Sequence, residues 1–459
     1  MIGFSEGFHD AGLAVVHDKK IIFAAHSERY SKKKHDKRLC DELAFYGESL
    51  NTHDDVIAFY EQQFPKRVRQ FFAGQNHWRR RRHLALRPNI GFPHHMSHAA
   101  AAFQTSCFDQ AACVVVDSIG EWDCSSVWTA EMEGGNAVYR KRWSRRYPKS
   151  IGLWYSALTG WAGLRPLDEE YIFMGMAAFG EPKHVDEVRK LLSQNNHRGC
   201  RLDIESKEDV AASAQVVLEE ELNKIFDIAL LYSDNVCYGG GVALNCVANT
   251  KLRKKCNLWI MPNPGDAGGA LGAALLASGK KVEFTPYTGY KIDRKVDPEA
   301  VVDVLLKDGI CGIANGKAEY GPRALGNRSL IADPRSFANK DRVNEIKKRQ
   351  KFRPFAPAIL EEHCQDYFDM PEHSRYMSYV YQCKRPDEIP ACVHVDNSAR
   401  VQTVPETSES IFRAILEAWY ERTGCPVLLN TSLNIRGMPM VNEWSDAIDF
   451  SNKYNVTVL

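Results

Sequence analysis

The chain has 459 residues, with 59 Lys and Arg against 58 Asp and Glu, for a formal charge of +1. That length gives room for two or three domains with ample cores, and the near-zero balance excludes a chain that binds nucleic acid by overall charge. The 13 cysteines are scattered without a Cys-x-x-Cys pair, which argues against a zinc ribbon or a disulfide framework and fits reduced thiols in a cytosolic protein. No apolar run approaches the roughly 18 residues of a membrane span, and the opening Met1-Ile-Gly-Phe-Ser-Glu-Gly-Phe-His-Asp10 has no signal-peptide pattern. A cytoplasmic protein without membrane contact is expected.

The chain opens as strands over 1–5, 13–17 and 21–26, the last two joined by a turn at Asp18-Lys-Lys20. The pattern recurs as strands over 113–116, 125–132 and 137–143, with turns at Asp117-Ser-Ile-Gly-Glu121 and Glu133-Gly-Gly-Asn136. Two copies of one hairpin module, each with an aspartate turn, suit a duplicated actin-like ATPase fold. Between them, the Ala-rich stretch 97–103 reads as a packed helix. Farther on, 210–231 reads as a long amphipathic helix that feeds a strand at 235–238 and then Gly239-Gly-Gly-Val-Ala-Leu-Asn245. Strand, glycine turn and helix in that order form an element suited to phosphates or a nucleotide, although many ordinary turns also use glycine. In Pro264-Gly-Asp-Ala-Gly-Gly-Ala-Leu-Gly-Ala-Ala274, small residues permit close packing of a helix start, with Asp266 held at the turn. The turn-rich stretch 279–293 marks a boundary, so the domains are expected at 1–285 and 286–459.

Three groups of residues suggest chemistry. His94 and His98 are four apart, which on a helix sets both imidazoles on one face, suited to one metal ion. Asp117 and Asp266, both at turns, would complete a His₂Asp₂ set, a mixed shell that favours iron, manganese or zinc. The run Tyr320-Gly-Pro-Arg-Ala-Leu-Gly-Asn-Arg-Ser329 joins Arg323, Arg328 and Ser329 to glycines, and Lys347, Arg349 and Arg353 follow. Arginine forks match phosphate oxygens, so with Asn430-Thr-Ser432 these residues read as a phosphate site, against surface salt bridges as the alternative. Two segments without acids, 65–88 and 139–149, interleave cations with aromatics. Arg79, Arg80, Arg81, Arg82, Arg142, Arg145 and Arg146 could there track a polynucleotide, or simply form solvated faces.

The arginine-rich run is similar to the C-terminal signature of the O-carbamoyltransferases of nodulation, antibiotic-tailoring and phage systems. Further motifs resemble that family in order: His9-Asp-Ala11, Ser27-Glu-Arg-Tyr-Ser31, Lys34-His-Asp36, His94 with His98, Asp117 with Glu121, the glycine run at 239–249, Gly265-Asp-Ala-Gly268 and Asn430-Thr-Ser-Leu-Asn434. So do Ser150-Ile-Gly-Leu-Trp-Tyr155, Met174-Gly-Met-Ala-Ala-Phe-Gly180, Val393-His-Val-Asp396 and Ala399-Arg-Val-Gln402. The resemblance implies an α/β chain, in which a duplicated actin/Hsp70-like (Kae1-like) ATPase fold precedes a C-terminal α+β YrdC-like domain. It implies that carbamoyl phosphate and ATP, with Mg²⁺ accompanying the nucleotide, give carbamoyl-adenylate and pyrophosphate in the C-terminal domain. Transfer to a hydroxyl would follow in the first domain, beside a divalent metal, commonly Fe²⁺. On this reading His94, His98, Asp117 and Asp266 are metal ligands, and Gly239, Gly240, Gly241 and Asn245 approach the adenylate. Arg323, Arg328, Ser329, Lys347, Arg349, Arg353, Asn430 and Ser432 hold the phosphates. Lys34 supports transfer, and Asp10 is a candidate base for the acceptor hydroxyl, with a turn cap as its alternative.

The chain departs from the family pattern at Ile172, where a lysine is usual, at Asp117-Ser118, Lys347-Lys-Arg-Gln350 and Asp396-Asn-Ser398, and by its shortness between 180 and 236. The basic segments point to a nucleic-acid acceptor, and the resemblance, through the family's phage members, implies a hydroxymethylated cytosine in DNA, extruded or single-stranded so that it can be reached. The location would then be a host-cell cytoplasm if the chain is phage-encoded. The alternatives are a sugar, nucleoside or antibiotic hydroxyl, an Hsp70-like ATP-dependent binding protein, and a tRNA threonylcarbamoylation role. The acceptor, the metal and the oligomeric state are left open by the sequence.

Overall fold

Each hairpin module seeds a five-stranded sheet, and the two sheets share one topology. The computed structural model describes residues 1–50, 56–74, 84–194, 199–351, 353–371 and 373–459. In the first sheet, β1 (Ile2–Ser5), β2 (Gly12–His17) and β3 (Lys20–His26) form an antiparallel meander. β4 (Ile57–Phe59) and β5 (Ile90–Gly91) add in parallel on the other side of β1, giving the order β3-β2-β1-β4-β5. In the second, β6 (Gln110–Val116), β7 (Asp123–Glu133) and β8 (Asn136–Arg146) form the meander. β9 (Asn235–Gly239) and β10 (Asn257–Ile260) add in parallel beside β6, so the order β10-β9-β6-β7-β8 repeats the first with the same strand senses. Parallel additions need crossovers, and helices supply them: Gln63–Phe72 between β4 and β5, Lys207–Leu230 before β9, and Cys246–Leu252 between β9 and β10. Central β6 is buried from Ala111 to Val116, the unbroken apolar run of a strand covered on both faces.

The chain divides into two compact units, Met1–Ser27 with His35–Thr285, and Glu28–Lys34 with Pro286–Leu459. A single division near residue 285 therefore needs one correction: the short segment Glu28–Lys34 groups with the C-terminal unit.

The C-terminal unit is also mixed α/β. It contains β11 (Tyr287–Ile292), β12 (Ile310–Ala314), β13 (Gly316–Glu319), β14 (Arg328–Ala332), β15 (Ala356–Leu360), β16 (Tyr381–Gln382), β17 (Ser398–Ala399), β18 (Gln402–Val404) and β19 (Val427–Ser432). Five of them form a sheet in the order β12-β14-β19-β15-β18, antiparallel apart from the parallel pair β15–β18. Helices Pro298–Asp308 and Phe412–Thr423 lay Val301, Leu305, Ile415 and Trp419 against Ile313, Ile331 and Leu428 of that sheet.

Within the N-terminal unit, helices His94–Phe103 and Asp266–Ser278 pack along faces of alanine and glycine. Ala99, Ala100, Ala101 and Ala102 are buried, and a Cβ placed on Gly272 would lie 1.8 Å from the Ser97 carbonyl oxygen. Only a glycine permits that approach. Gly272→Ala should push the two helices apart and destabilise the unit by about 1–3 kcal/mol, measurable by denaturant unfolding.

Candidate metal and acid–base site

The helix begins at His94, so both histidines stand on it and four positions separate them. Asp117 lies just past the end of β6, and Asp266 is the first residue of the partner helix. The close helix approach brings all four side chains together, and all four are buried. His94 Nε2 is 3.0 Å from Asp117 Oδ2, 3.1 Å from His98 Nε2 and 3.5 Å from Asp266 Oδ1. His98 Nε2 is 3.8 and 3.6 Å from the same two carboxylate oxygens. A tetrahedron with bonds of about 2.1 Å has edges of about 3.4 Å, so these separations suit ligands of one ion. The charges agree, because two buried carboxylates beside two neutral imidazoles need a divalent cation. Burial opposes a charge on His94, yet the hydrogen bond to Asp117 and the charges of Asp266 and Asp117 prevail and raise it to about 9. Burial likewise works against ionised Asp117, but the bond to His94 and both imidazoles hold it far below the usual carboxylate range.

Outer contacts fix the ligands. Gly241 N donates to Asp117 Oδ1 at 3.0 Å, leaving Oδ2 for the histidines. Glu121 accepts from the backbone N–H of His94 at 3.0 and 3.2 Å and from Gln62 N at 2.7 Å, satisfying the start of the histidine helix.

A second polar cluster lies on the loop after β1. Asp10 Oδ2 accepts from His9 Nδ1 at 2.8 Å, and Asp10 Oδ1 is 2.8 Å from His35 Nδ1. His35 Nε2 is 2.8 Å from Asp168 Oδ1. Burial would raise Asp10, but its bonds to His35 and His9 hold it well below the usual carboxylate range. Held in this way, Asp10 orients both imidazoles. His9 is the second titratable group of the cluster. Burial lowers its proton affinity, the Asp10 hydrogen bond and charge outweigh that, and the charge of Asp266 also reaches it. With Nδ1 tied to Asp10, its Nε2 is the nitrogen left for chemistry. Both polar residues of the motif His9-Asp-Ala11 therefore enter the cluster.

The family descriptions Carbamoyltransferase N-terminus and Carbamoyltransferase C-terminus match residues 40–205 with 197–275, and 302–459, respectively. The chain belongs to the carbamoyltransferase family. An uncharacterised protein of Synechocystis is 32% identical, over 97% of this chain and 93% of that one. The nodulation protein NolNO of Sinorhizobium fredii is 29% identical, over 96% of this chain and 76% of that one. The 3'-hydroxymethylcephem-O-carbamoyltransferase of Amycolatopsis lactamdurans is 28% identical, over 98% and 95%.

Several residues of this carbamoyltransferase that the sequence points towards ligands are engaged within the fold. Arg328 is fully buried, and its guanidinium donates to the carbonyls of Asn442, Asn315, Gly316, Asn327 and Tyr290 at 2.8–3.3 Å. It anchors these carbonyls, at the position where the sequence suggested a phosphate contact. Ser329 is buried in β14 and accepts from Gly326 N at 3.0 Å. The amides of Leu325, Asn327 and Arg328 converge on Glu319 Oε1 at 2.7, 2.8 and 3.2 Å, so the loop grips its own carboxylate. The Lys347 ammonium sits among Ser432 O, Ser432 Oγ, Asn434 O and Asn434 Oδ1 at 2.5–3.2 Å, and burial, with Arg349 and Arg353 nearby, pushes its proton affinity well down. Asn430 Nδ2 donates to Ala324 O and Gln402 Oε1. Arg323, Arg349 and Arg353 are half-buried, with Arg349 stacked 3.8 Å from the centre of the Phe355 ring.

The glycine run is likewise packed against the metal ligands. A Cβ on Gly240, whose φ is +89°, would meet Val116 O at 2.3 Å, and one on Gly239 would meet His98 O at 3.1 Å. Asn245 caps the helix Cys246–Leu252 through Ala248 N and pairs with Gln215. Lys34 pairs with Glu28 at 2.9 Å within the segment that groups with the C-terminal unit. Ile172 is buried, an apolar residue in the core where the family pattern has lysine.

The basic segments find acids on neighbouring elements. Arg140 pairs with Glu131 and Glu133, Lys141 with Asp123 at 2.5 Å, Arg145 with Glu221 at 2.8 Å, and Arg146 with Asp123 at 3.5 Å. Arg142 bonds Thr129 Oγ1 and lies over the Tyr232 ring. Lys66, another cation of the first segment, is buried against Glu61 at 2.5 Å. Arg79, Arg80, Arg81 and Arg82 lie outside the described residues. A stretch without acids in sequence is therefore, at 139–149, largely neutralised in space.

Two outcomes are expected. A divalent ion must displace the proton that His94 keeps up to about pH 9, so apparent metal affinity should rise about tenfold per pH unit from pH 6 towards 9, as read by competition titration with a chelator. Arg328→Met should leave buried carbonyls without donors and lower unfolding free energy by about 3 kcal/mol or more. Normal stability with a selective loss of nucleotide chemistry would restore the phosphate role to Arg328.

Proposed function

We propose that this carbamoyltransferase joins two reactions: carbamoyl phosphate and ATP give carbamoyl-adenylate, and the carbamoyl group then passes to an acceptor hydroxyl. The observation that supports transfer most directly is the pairing, in one unit, of a buried His₂Asp₂ set with an aspartate-held imidazole whose charge environment includes the ligand Asp266. In this reading the twice-built sheet of the N-terminal unit is an actin/Hsp70-type (Kae1-like) fold devoted to transfer. The C-terminal unit, as a YrdC-like domain, forms the adenylate from carbamoyl phosphate, ATP and one water, with release of phosphate and pyrophosphate.

His94, His98, Asp117 and Asp266 would hold the ion, with Fe²⁺ the first assignment and Mg²⁺ accompanying ATP. A bound divalent ion supplies Lewis-acid polarisation of the phosphoryl or carbamoyl oxygens. His9 Nε2 takes the acceptor O–H proton as the oxygen bonds to the carbamoyl carbon. The carbon–oxygen bond to AMP breaks, and AMP leaves with the electron pair. Arg323, Arg349 and Arg353 remain the candidates for gripping phosphate, Gly239 and Gly240 for lying along the nucleotide, and Lys34 for supporting transfer.

For the acceptor we favour a hydroxymethyl or sugar hydroxyl on a small molecule. Ion pairing of Arg140, Lys141, Arg145 and Arg146 lowers the free positive charge of the segment 139–149, and one relative is named for a hydroxymethylcephem acceptor. The test is incubation with ATP, carbamoyl phosphate and a panel containing a hydroxymethylcephem, free sugars, nucleosides and DNA bearing 5-hydroxymethylcytosine, read by mass spectrometry and pyrophosphate release. His98→Ala should keep pyrophosphate release and lose at least 100-fold of the carbamate product. Full product from metal-free His98→Ala would overturn the role of the site, and exclusive modification of DNA would overturn the small-molecule acceptor.

A further inference from the structure

Both ring nitrogens of His35 lie 2.8 Å from carboxylate oxygens, Nδ1 from Asp10 Oδ1 and Nε2 from Asp168 Oδ1. A neutral imidazole has one N–H, so one of these contacts would set a lone pair against a carboxylate. Only the doubly protonated ring satisfies both. The arrangement continues at each end. Asp168 Oδ2 accepts from Arg165 Nη2 at 2.8 Å, and Asp10 Oδ2 accepts from His9 Nδ1 at 2.8 Å. The charges alternate along Arg165, Asp168, His35 and Asp10, ending at His9. Asp10 and His35 adopt left-handed backbone conformations, with φ of +46° and +53°, which non-glycine residues rarely take. Local strain is thus accepted where these side chains meet.

We propose that His35 is a positioning residue, held as a permanent imidazolium between Asp10 and Asp168, and that it sets the tautomer and basicity of His9. The inference rests on the transfer reading of this site for its use, and on hydrogen-bond geometry for its content. Asp10 has two oxygens and two imidazole partners. By occupying Oδ1, His35 leaves Oδ2 to receive the Nδ1–H of His9, which places the His9 lone pair on Nε2. By sharing the charge of Asp10, it also limits how tightly His9 holds a proton. A base that bound its proton too firmly would be blocked at neutral pH. The charged groups acting on His9 are Asp10 on its own loop, His35 and the metal ligand Asp266. Those around His35 include Asp10, Asp168, His9, whose ring centre is 4.5 Å away, and, behind Asp168, Arg165, which also bonds Glu169. Asp168 and Arg165 lie before the helix Glu170–Met176, so this support comes from a part of the chain far from the first loop.

The experiment uses the full-length protein with ¹⁵N-labelled histidine, with ring signals assigned by His9→Gln and His35→Gln. No acceptor is needed, so the result stands even if the transfer reading fails. His35 should show two N–H-type ring nitrogens from pH 6 to 8, and His9 should show a neutral ring protonated at Nδ1 at the upper end. In Asp168→Asn, His35 should become an ordinarily titrating histidine. With any acceptor that is carbamoylated, the acid limb of the rate profile should move up by about half to one pH unit in His35→Gln, because His9 then has Asp10 to itself. It should move down in Asp10→Asn, because His9 loses its anion. A neutral His35 signature at pH 7 in the wild-type protein, or limbs moving the same way in both variants, would overturn the proposal.

Discussion

The contact on which the site depends is between two backbones. Gly272 lies against the Ser97 carbonyl with no room for a Cβ, and Gly3 lies as closely against Ala270 and Ala274 of the same helix. Asp266–Ser278 is therefore clamped between β1 and the histidine helix by residues without side chains. That clamp fixes the distance from Asp266 to His94 and His98. A ligand set tolerates little positional error, because bond lengths near 2.1 Å are set by the ion. Small residues provide that accuracy more rigidly than interlocking side chains could, since backbone against backbone has no rotamers to adjust.

Around this clamp, groups that look available in sequence are largely consumed by the fold. The amides of Leu325, Asn327 and Arg328 hold Glu319, Arg328 closes five backbone carbonyl contacts, Gly241 holds Asp117, and Lys347 ties the β19 end to Asn434. Buried polar groups must find partners, and a loop rich in glycine and arginine exposes many donors at once. The conformation of the loop is thus over-determined before any ligand arrives. A rigid loop binds without the entropy cost of being ordered at that moment.

The duplicated sheet was legible because a meander of apolar strands and tight turns has a strong local pattern, and it recurs. Strands β1–β3 and β6–β8 and the long helix before β9 lie where alternation and turn residues place them. β4 and β5, at three and two residues, are too short to carry a period, and their pairing depends on helices that return the chain. The grouping of His94, His98, Asp117 and Asp266 was legible because two share a helix face and two stand at turns. His9 and His35 were harder. Their roles depend on which oxygen of Asp10 each imidazole takes, a matter of three dimensions. The pairing of the basic stretch at 139–149 was hidden for the same reason: β7 and the helix Lys207–Leu230 bring acids that are distant in sequence.

The segment Glu28–Lys34 belongs with residues that begin at Pro286, so the chain passes between the two units three times. Arg29 on that segment is buried and donates to Gly321 O at 2.9 Å, and Lys32 pairs with Asp446 at 2.5 Å. One piece of the C-terminal unit is therefore synthesised about 250 residues before the rest of it. During translation Arg29 waits, without its buried partner, for nearly three hundred residues to follow it. A cut at the apparent boundary cannot yield two complete halves, because one would lack an internal cation and the other would carry an orphaned loop. In genetic terms, the two units are bound to travel as one reading frame.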